Sequence, residues 1–137
     1  TNTFGEWSGK AAGGSSGKEC LQINVKDNSA FGSFVQIPAV DGTIEKIEVT
    51  IREPYKGRAI GIFPVGYTYT KDTLDKMKEQ LAKDAIAISN ETPSDVNNNE
   101  PFTFVIDNLS AKNLTQFSIF PTLGAVSITA ITVTYSK

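Results

Sequence analysis

Apolar and polar positions alternate with a period of two along most of this chain, the pattern of half-buried β-strands. Residues 43–52 show it most cleanly. Ile47, Val49 and Ile51 share one face, while Lys46, Glu48, Thr50 and Arg52 share the other. One apolar and one wet face mark a strand of an antiparallel sheet. The end of the chain, GAVSITAITVTYSK over residues 124–137, is its most β-prone stretch, rich in Val, Ile, Thr and Tyr. The alternation slips inside it. Val126 and Ile128 keep one phase, and Ile131, Val133 and Tyr135 keep the other, with Ala130 at the join. Such a slip predicts a β-bulge at Ala130 and a long closing strand that serves both faces of a core.

The same reading places further strands at 3–8, 18–25, 31–37, 58–65, 85–90, 101–107 and 114–120. Their inward sets are Leu21, Ile23 and Val25; Val35 and Ile37; Ile60 and Ile62; Ile86 and Ile88; Phe102, Phe104 and Ile106; Phe117 and Ile119. Turn-forming residues separate them: a Gly/Ser-rich loop at 9–17, Asp27-Asn28-Ser29, Asp41-Gly42, EPYKGR at 53–58, a Pro/Asn-rich loop at 91–100, and 108–113. One helix is predicted at 72–85, capped by Asp72 or Thr70, with Leu74, Met77 and Leu81 as a narrow apolar stripe. A stripe that narrow suits packing on a sheet edge or end. About nine short strands, one helix in a connection and no βαβ alternation predict an all-β fold, an antiparallel β-sandwich of jelly-roll type.

Length and charge bound the rest. The 137 residues suffice for a single domain with its own core, here 1–137. The formal net charge of −2 argues against nucleic acid, which calls for a basic stripe. No apolar run approaches the roughly 20 residues of a membrane-spanning helix. The start carries neither Met nor a signal-like segment, as expected of one domain of a longer protein. The lone cysteine, Cys20, suits a small buried apolar position. The chain has no histidine. That removes the usual general base near neutral pH, the commonest metal ligand and every Ser-His or Cys-His pair. No paired carboxylates stand out, so no enzyme activity and no catalytic residue is assigned.

The order of segments carries a resemblance. An opening strand with Phe4 and Trp7, a Gly/Ser loop, FGSFVQIP, TIEKIEVTI, PFTFVIDNL and a final ITAITVTY follow one another as in the galactose-binding-like jelly rolls. These include carbohydrate-binding modules and β-sandwich domains of secreted or cell-surface bacterial proteins. The resemblance implies a non-catalytic, extracellular or cell-surface, monomeric module that binds carbohydrate through its end loops. The alternative is a structural or adhesion-type domain that meets another surface protein and has no sugar site. Many such modules carry an acidic residue in the final strand beside a structural calcium; here Thr129-Ala130 stand at that place. No cofactor is therefore expected, although Asp27, Asn28 or Asp41 with loop carbonyls compose a conceivable calcium site.

Sugars are bound by aromatic faces with amide, guanidinium and carboxylate partners beside them. The ligand-binding candidates are Tyr55, Tyr67, Tyr69, Trp7, Arg58 and Asn98, with Arg52, Asn97 and Asn99 as further polar partners. Each has a plainer reading. Trp7 suits a core or edge position, Tyr67 and Tyr69 suit covering the helix or a sheet edge, and the Asn run suits a solvated loop. Tyr55, in a Pro-containing loop, is the best-placed exposed aromatic.

Overall fold

The computed structural model describes residues 8–10, 21–25, 34–71 and 73–137. Its strands are β1 (Ser8–Lys10), β2 (Leu21–Ile23), β3 (Phe34–Gln36), β4 (Thr43–Arg52), β5 (Ile60–Phe63), β6 (Ala87–Ile88), β7 (Phe102–Ile106), β8 (Ser118–Pro121) and β9 (Val126–Ser136). One α-helix, α1 (Leu74–Asp84), links β5 to β6, and a short 3₁₀ turn (Ser110–Lys112) follows β7. The strands form two antiparallel sheets, in the orders β1-β3-β8-β5-β6 and β2-β9-β4-β7. The fold is therefore all-β, as the alternation predicts.

The inward faces of both sheets supply one core. Val35, Ile60, Ile62 and Ile119 come from the first sheet; Ile23, Ile47, Val49, Ile51, Phe104, Ile106, Val126, Ile128 and Val133 come from the second. Each such side chain contributes roughly 1.5–3 kcal/mol by leaving water, which makes this layer the main stabilising element. The outward face of the second sheet stays wet. There Lys46 and Glu48 form an exposed ion pair at 3.6 Å, and the Thr50 and Thr103 hydroxyls meet at 3.0 Å.

The bulge in β9 falls one residue before the expected join. Thr50 pairs with Ala130 and Ile51 with Ile128, so Thr129 is the extra residue. Its effect also differs from the expectation. Instead of serving both faces, the bulge returns Ile131, Val133 and Tyr135 to the side already taken by Val126 and Ile128, so one core receives them all. A second irregularity lies opposite: Glu45 has no partner between the Ile44–Tyr135 and Lys46–Thr134 pairs.

The first sheet is covered on both faces. Phe63 and Phe120 point away from the shared core and pack beneath α1 with Met77, Leu81 and Val25. This places the helix on a sheet face, where an edge or end is expected from its narrow stripe. Leu74 stays exposed, so only Met77 and Leu81 of the stripe are buried. The helix begins with Thr73, whose Oγ1 accepts from the Lys76 amide at 3.4 Å. Thr70, one of the two predicted caps, instead donates its amide to Gln80 Oε1 at 2.9 Å; Asp72 lies outside the described residues.

Other boundaries shift. Gly9 and Lys10, expected in a loop, pair with Val35 and Phe34. Val25 leaves the face of Ile23 and joins the cluster under the helix. Ile88, expected inward, is exposed on the edge strand β6. Its neighbours explain this: Ser89 turns in, and its Oγ accepts from the Ile60 amide at 3.0 Å. Across the gap between the sheets, Asn90 Oδ1 accepts from the Val105 amide at 3.0 Å. That bond occupies part of the β7 edge, which would otherwise offer free amides for pairing.

Candidate functional site

Three connections converge at one end of the sandwich because of the strand register. Arg52 of β4 lies opposite Ser127 of β9, Ile51 lies opposite Phe102 of β7, and Ile60 of β5 lies opposite Pro121 of β8. The β4–β5, β6–β7 and β8–β9 connections thus share a rim.

Thr92 ties two of them together. It is buried, and its amide donates to the Arg58 carbonyl at 2.9 Å. Its Oγ1 accepts from the Arg58 amide at 2.8 Å and donates to the Tyr55 carbonyl at 2.6 Å. The Gly57 amide donates to the Thr92 carbonyl at 3.2 Å, and Asn98 Nδ2 donates to the Pro54 carbonyl at 3.1 Å. Gly57 turns the loop at φ 67°, where a side chain would be strained. Glu53, just before Pro54, holds φ 47°. A non-glycine residue there costs about 1–3 kcal/mol, and such strain clusters at functional loops.

The loop so held presents Tyr55 with 62% of its surface exposed. The Arg58 guanidinium carbon sits 5.9 Å from the centre of its ring, a cation–π contact. Arg58 Nε donates to the Ala125 carbonyl at 3.1 Å, and the guanidinium lies flat over Gly124. Beside them is a narrow cleft of about 80 Å³ lined by Gln22, Arg52, Glu53, Tyr55, Arg58 and Ser127. Arg52 Nε is buried there without a hydrogen-bond partner. A second, wider depression of about 450 Å³ adjoins it, with Asn24, Leu74, Lys78 and Gly124 in its wall and Arg58 shared between the two.

Tyr55, Arg58 and Asn98 are therefore brought together, with Asn98 acting through the Pro54 carbonyl. Within the Asn run, Asn97 Oδ1 accepts from the Asn99 amide at 2.9 Å, which closes a local turn. Tyr67 and Tyr69 lie elsewhere. Both rings are partly buried against Phe120 under the helix, and Tyr67 also stacks on Phe63 at 4.6 Å. Tyr67 Oη donates to Asp84 Oδ2 at 2.9 Å. Burial first, then the Asp84 hydrogen bond and charge, hold this phenol well above the usual tyrosine range. Trp7 lies outside the described residues, as do Cys20, Asp27 and Asn28. Asp41 is 3.5 Å from the Lys137 ammonium. Among the described residues no three His, Cys, Asp or Glu side chains gather closely enough to hold a metal.

Sequence pattern alone does not single out Gln22, Thr92 and Gly124 as neighbours of the Tyr55–Arg58 pair, since they come from three separate segments. Arg52, named from the sequence as a further polar partner, does line the cleft beside Tyr55. No protein-family model matches this chain, and neither a curated protein nor a solved structure matches it.

Proposed function

We propose that this chain is a non-catalytic β-sandwich module that binds carbohydrate at the Tyr55 rim. The single observation behind this reading is an exposed aromatic ring on a loop that is fixed from behind. Thr92 and Asn98 immobilise the backbone of Tyr55 and Pro54, so little ordering entropy remains to be lost on binding. One side of the ring is backed by Arg58, and the exposed remainder is a platform for the apolar face of a sugar. Gln22, Arg52, Glu53 and Ser127 stand within the adjoining cleft as hydrogen-bonding partners. The cleft admits the edge of a sugar ring while Tyr55 carries its face, the arrangement of a site for one or two residues of a longer glycan.

The frame agrees with a jelly roll of the galactose-binding-like kind, because the chain alternates between the two sheets at every step except the β5–β6 connection. Function in such frames lives in loops at the sandwich ends. The same reading puts the module outside the cell or on its surface. The alternative is an adhesion-type domain that meets another protein; β6, an edge strand paired only with β5 among the described residues, is the feature that favours it, since an edge can pair with another chain.

Calorimetry and a glycan array separate the two. Binding that Tyr55→Ala weakens at least about tenfold, with an unchanged Tm, supports the sugar site. Absence of binding by the intact chain at millimolar glycan, or equal binding by Tyr55→Ala, overturns it.

A further inference from the structure

We infer that the sugar held at the Tyr55 rim carries a carboxylate, as in a uronic-acid glycan; this rests on the carbohydrate reading above. The charge distribution points there. The chain as a whole is acidic, with 13 Lys and Arg against 15 Asp and Glu. Yet among the described residues the two adjoining depressions at this end are lined by Arg52, Arg58 and Lys78, against the carboxylate of Glu53. Among the described residues this local surplus of positive charge stands out against the acidic composition of the chain.

Both guanidinium-bearing side chains also line one cleft. Arg58 is fixed on three sides: Nε by the Ala125 carbonyl, one face by Tyr55 and the Gly124 backbone below. Among the described residues its Nη groups have no hydrogen-bond partner, and the side chain lines both depressions. Arg52 enters the same cleft with Nε buried and unpartnered. Guanidinium–carboxylate pairing is planar and charge-assisted, and both side chains line the cleft where a carboxylate would enter. A guanidinium is more weakly hydrated than an ammonium and is already oriented here, so little is lost on pairing. In this arrangement Tyr55 carries the ring of the sugar, and Arg52 and Arg58 clamp the carboxylate that projects from it.

The test compares oligogalacturonate with its fully methyl-esterified form, which keeps the ring and removes the charge. Calorimetry is run on the intact chain and on Arg58→Gln and Arg52→Gln, with Tm as the folding control. The free acid is expected to bind about tenfold or more tightly than the ester, with a preference that shrinks as salt rises. Either Arg variant that keeps its Tm should lose that preference. Alginate, a second uronate polymer, should behave like galacturonate. Equal binding of acid and ester, binding to neutral polysaccharides alone, or a stronger response to sulfated than to carboxylated glycans overturns the carboxylate assignment while leaving a carbohydrate site in place. No binding to any glycan overturns both.

Discussion

Arg58 occupies the space that a side chain at position 124 would need. A Cβ on Gly124 would stand 2.8 Å from both the guanidinium carbon and Nε of Arg58. The bare backbone of Gly124 and the bond to the next carbonyl, Ala125, together set where this guanidinium lies. The β8–β9 connection thus acts as a bed for the charged group.

Gly124→Ala should therefore act on binding more than on folding. The clash is with the far end of a flexible side chain, which swings away at little cost. A Tm change of no more than a few degrees, with glycan affinity reduced about as far as in Arg58→Gln, is expected from thermal melting and calorimetry. Full affinity in Gly124→Ala would mean that the position of Arg58 is irrelevant to binding.

Thr92→Val keeps the size of the side chain and removes its hydroxyl. The Arg58 amide loses its acceptor and the Tyr55 carbonyl its donor. Leaving such partly buried groups unpaired costs about 1–3 kcal/mol in urea unfolding. Because the same bonds fix the Tyr55 loop, affinity should fall as well. A stable variant with unchanged affinity would show that the loop is held by other contacts.

Tyr67→Phe gives a pH-dependent result. The folded-state pKa of Tyr67 is raised above its unfolded value near 10. The folded state thus holds the phenolic proton more tightly, and the resulting stability is complete below about pH 10. It is lost as pH rises from there through the folded value. The wild type should lose stability above pH 10 more steeply than Tyr67→Phe, while at neutral pH the variant is weaker by about 0.5–1 kcal/mol through the lost bond to Asp84. Denaturant midpoints from pH 7 to 11 measure both, and parallel alkaline slopes would contradict the assignment.

Deletion of Thr129 tests the bulge. Thr50 already pairs with Ala130 and Ile51 with Ile128, so removing the extra residue makes the ladder regular and leaves Val126, Ile128, Ile131 and Val133 on the core side. Urea titration should find the deletion variant within about 1 kcal/mol of the wild type. A loss of several kcal/mol would mean that the bulge itself is needed for the packing of the strand.

The bulge also shows where local pattern was sufficient. The phase slip between Ile128 and Ile131 is a property of neighbouring residues, and it appears in the strand within one position of where the alternation puts it. The inward sets of β4 and β7 are equally local. The two-sided burial of β5 and β8 had a weaker signal. IGIF and SIFP are near-continuous apolar runs, the mark of strands covered on both faces. Phe63 and Phe120 are the residues that a one-sided reading leaves unexplained, and the helix over them is their cover.

For the site, the sequence determined that Tyr55 stands in a Pro-containing loop at a strand end, that Arg58 follows three residues later, and that no histidine chemistry is possible. It also determined the strands, because side-chain alternation is written in adjacent residues. Only the tertiary structure decided which aromatics are available. Tyr67 and Tyr69 are drawn under the helix because Phe63 and Phe120 need covering, whereas Tyr55 is held out by Thr92 and Asn98 from a loop more than 30 residues away. It likewise decided that Arg58 lies against Gly124 and shares a cleft with Arg52. Their proximity follows from strand register across two sheets, a long-range property that no local pattern of charge or hydrophobicity encodes.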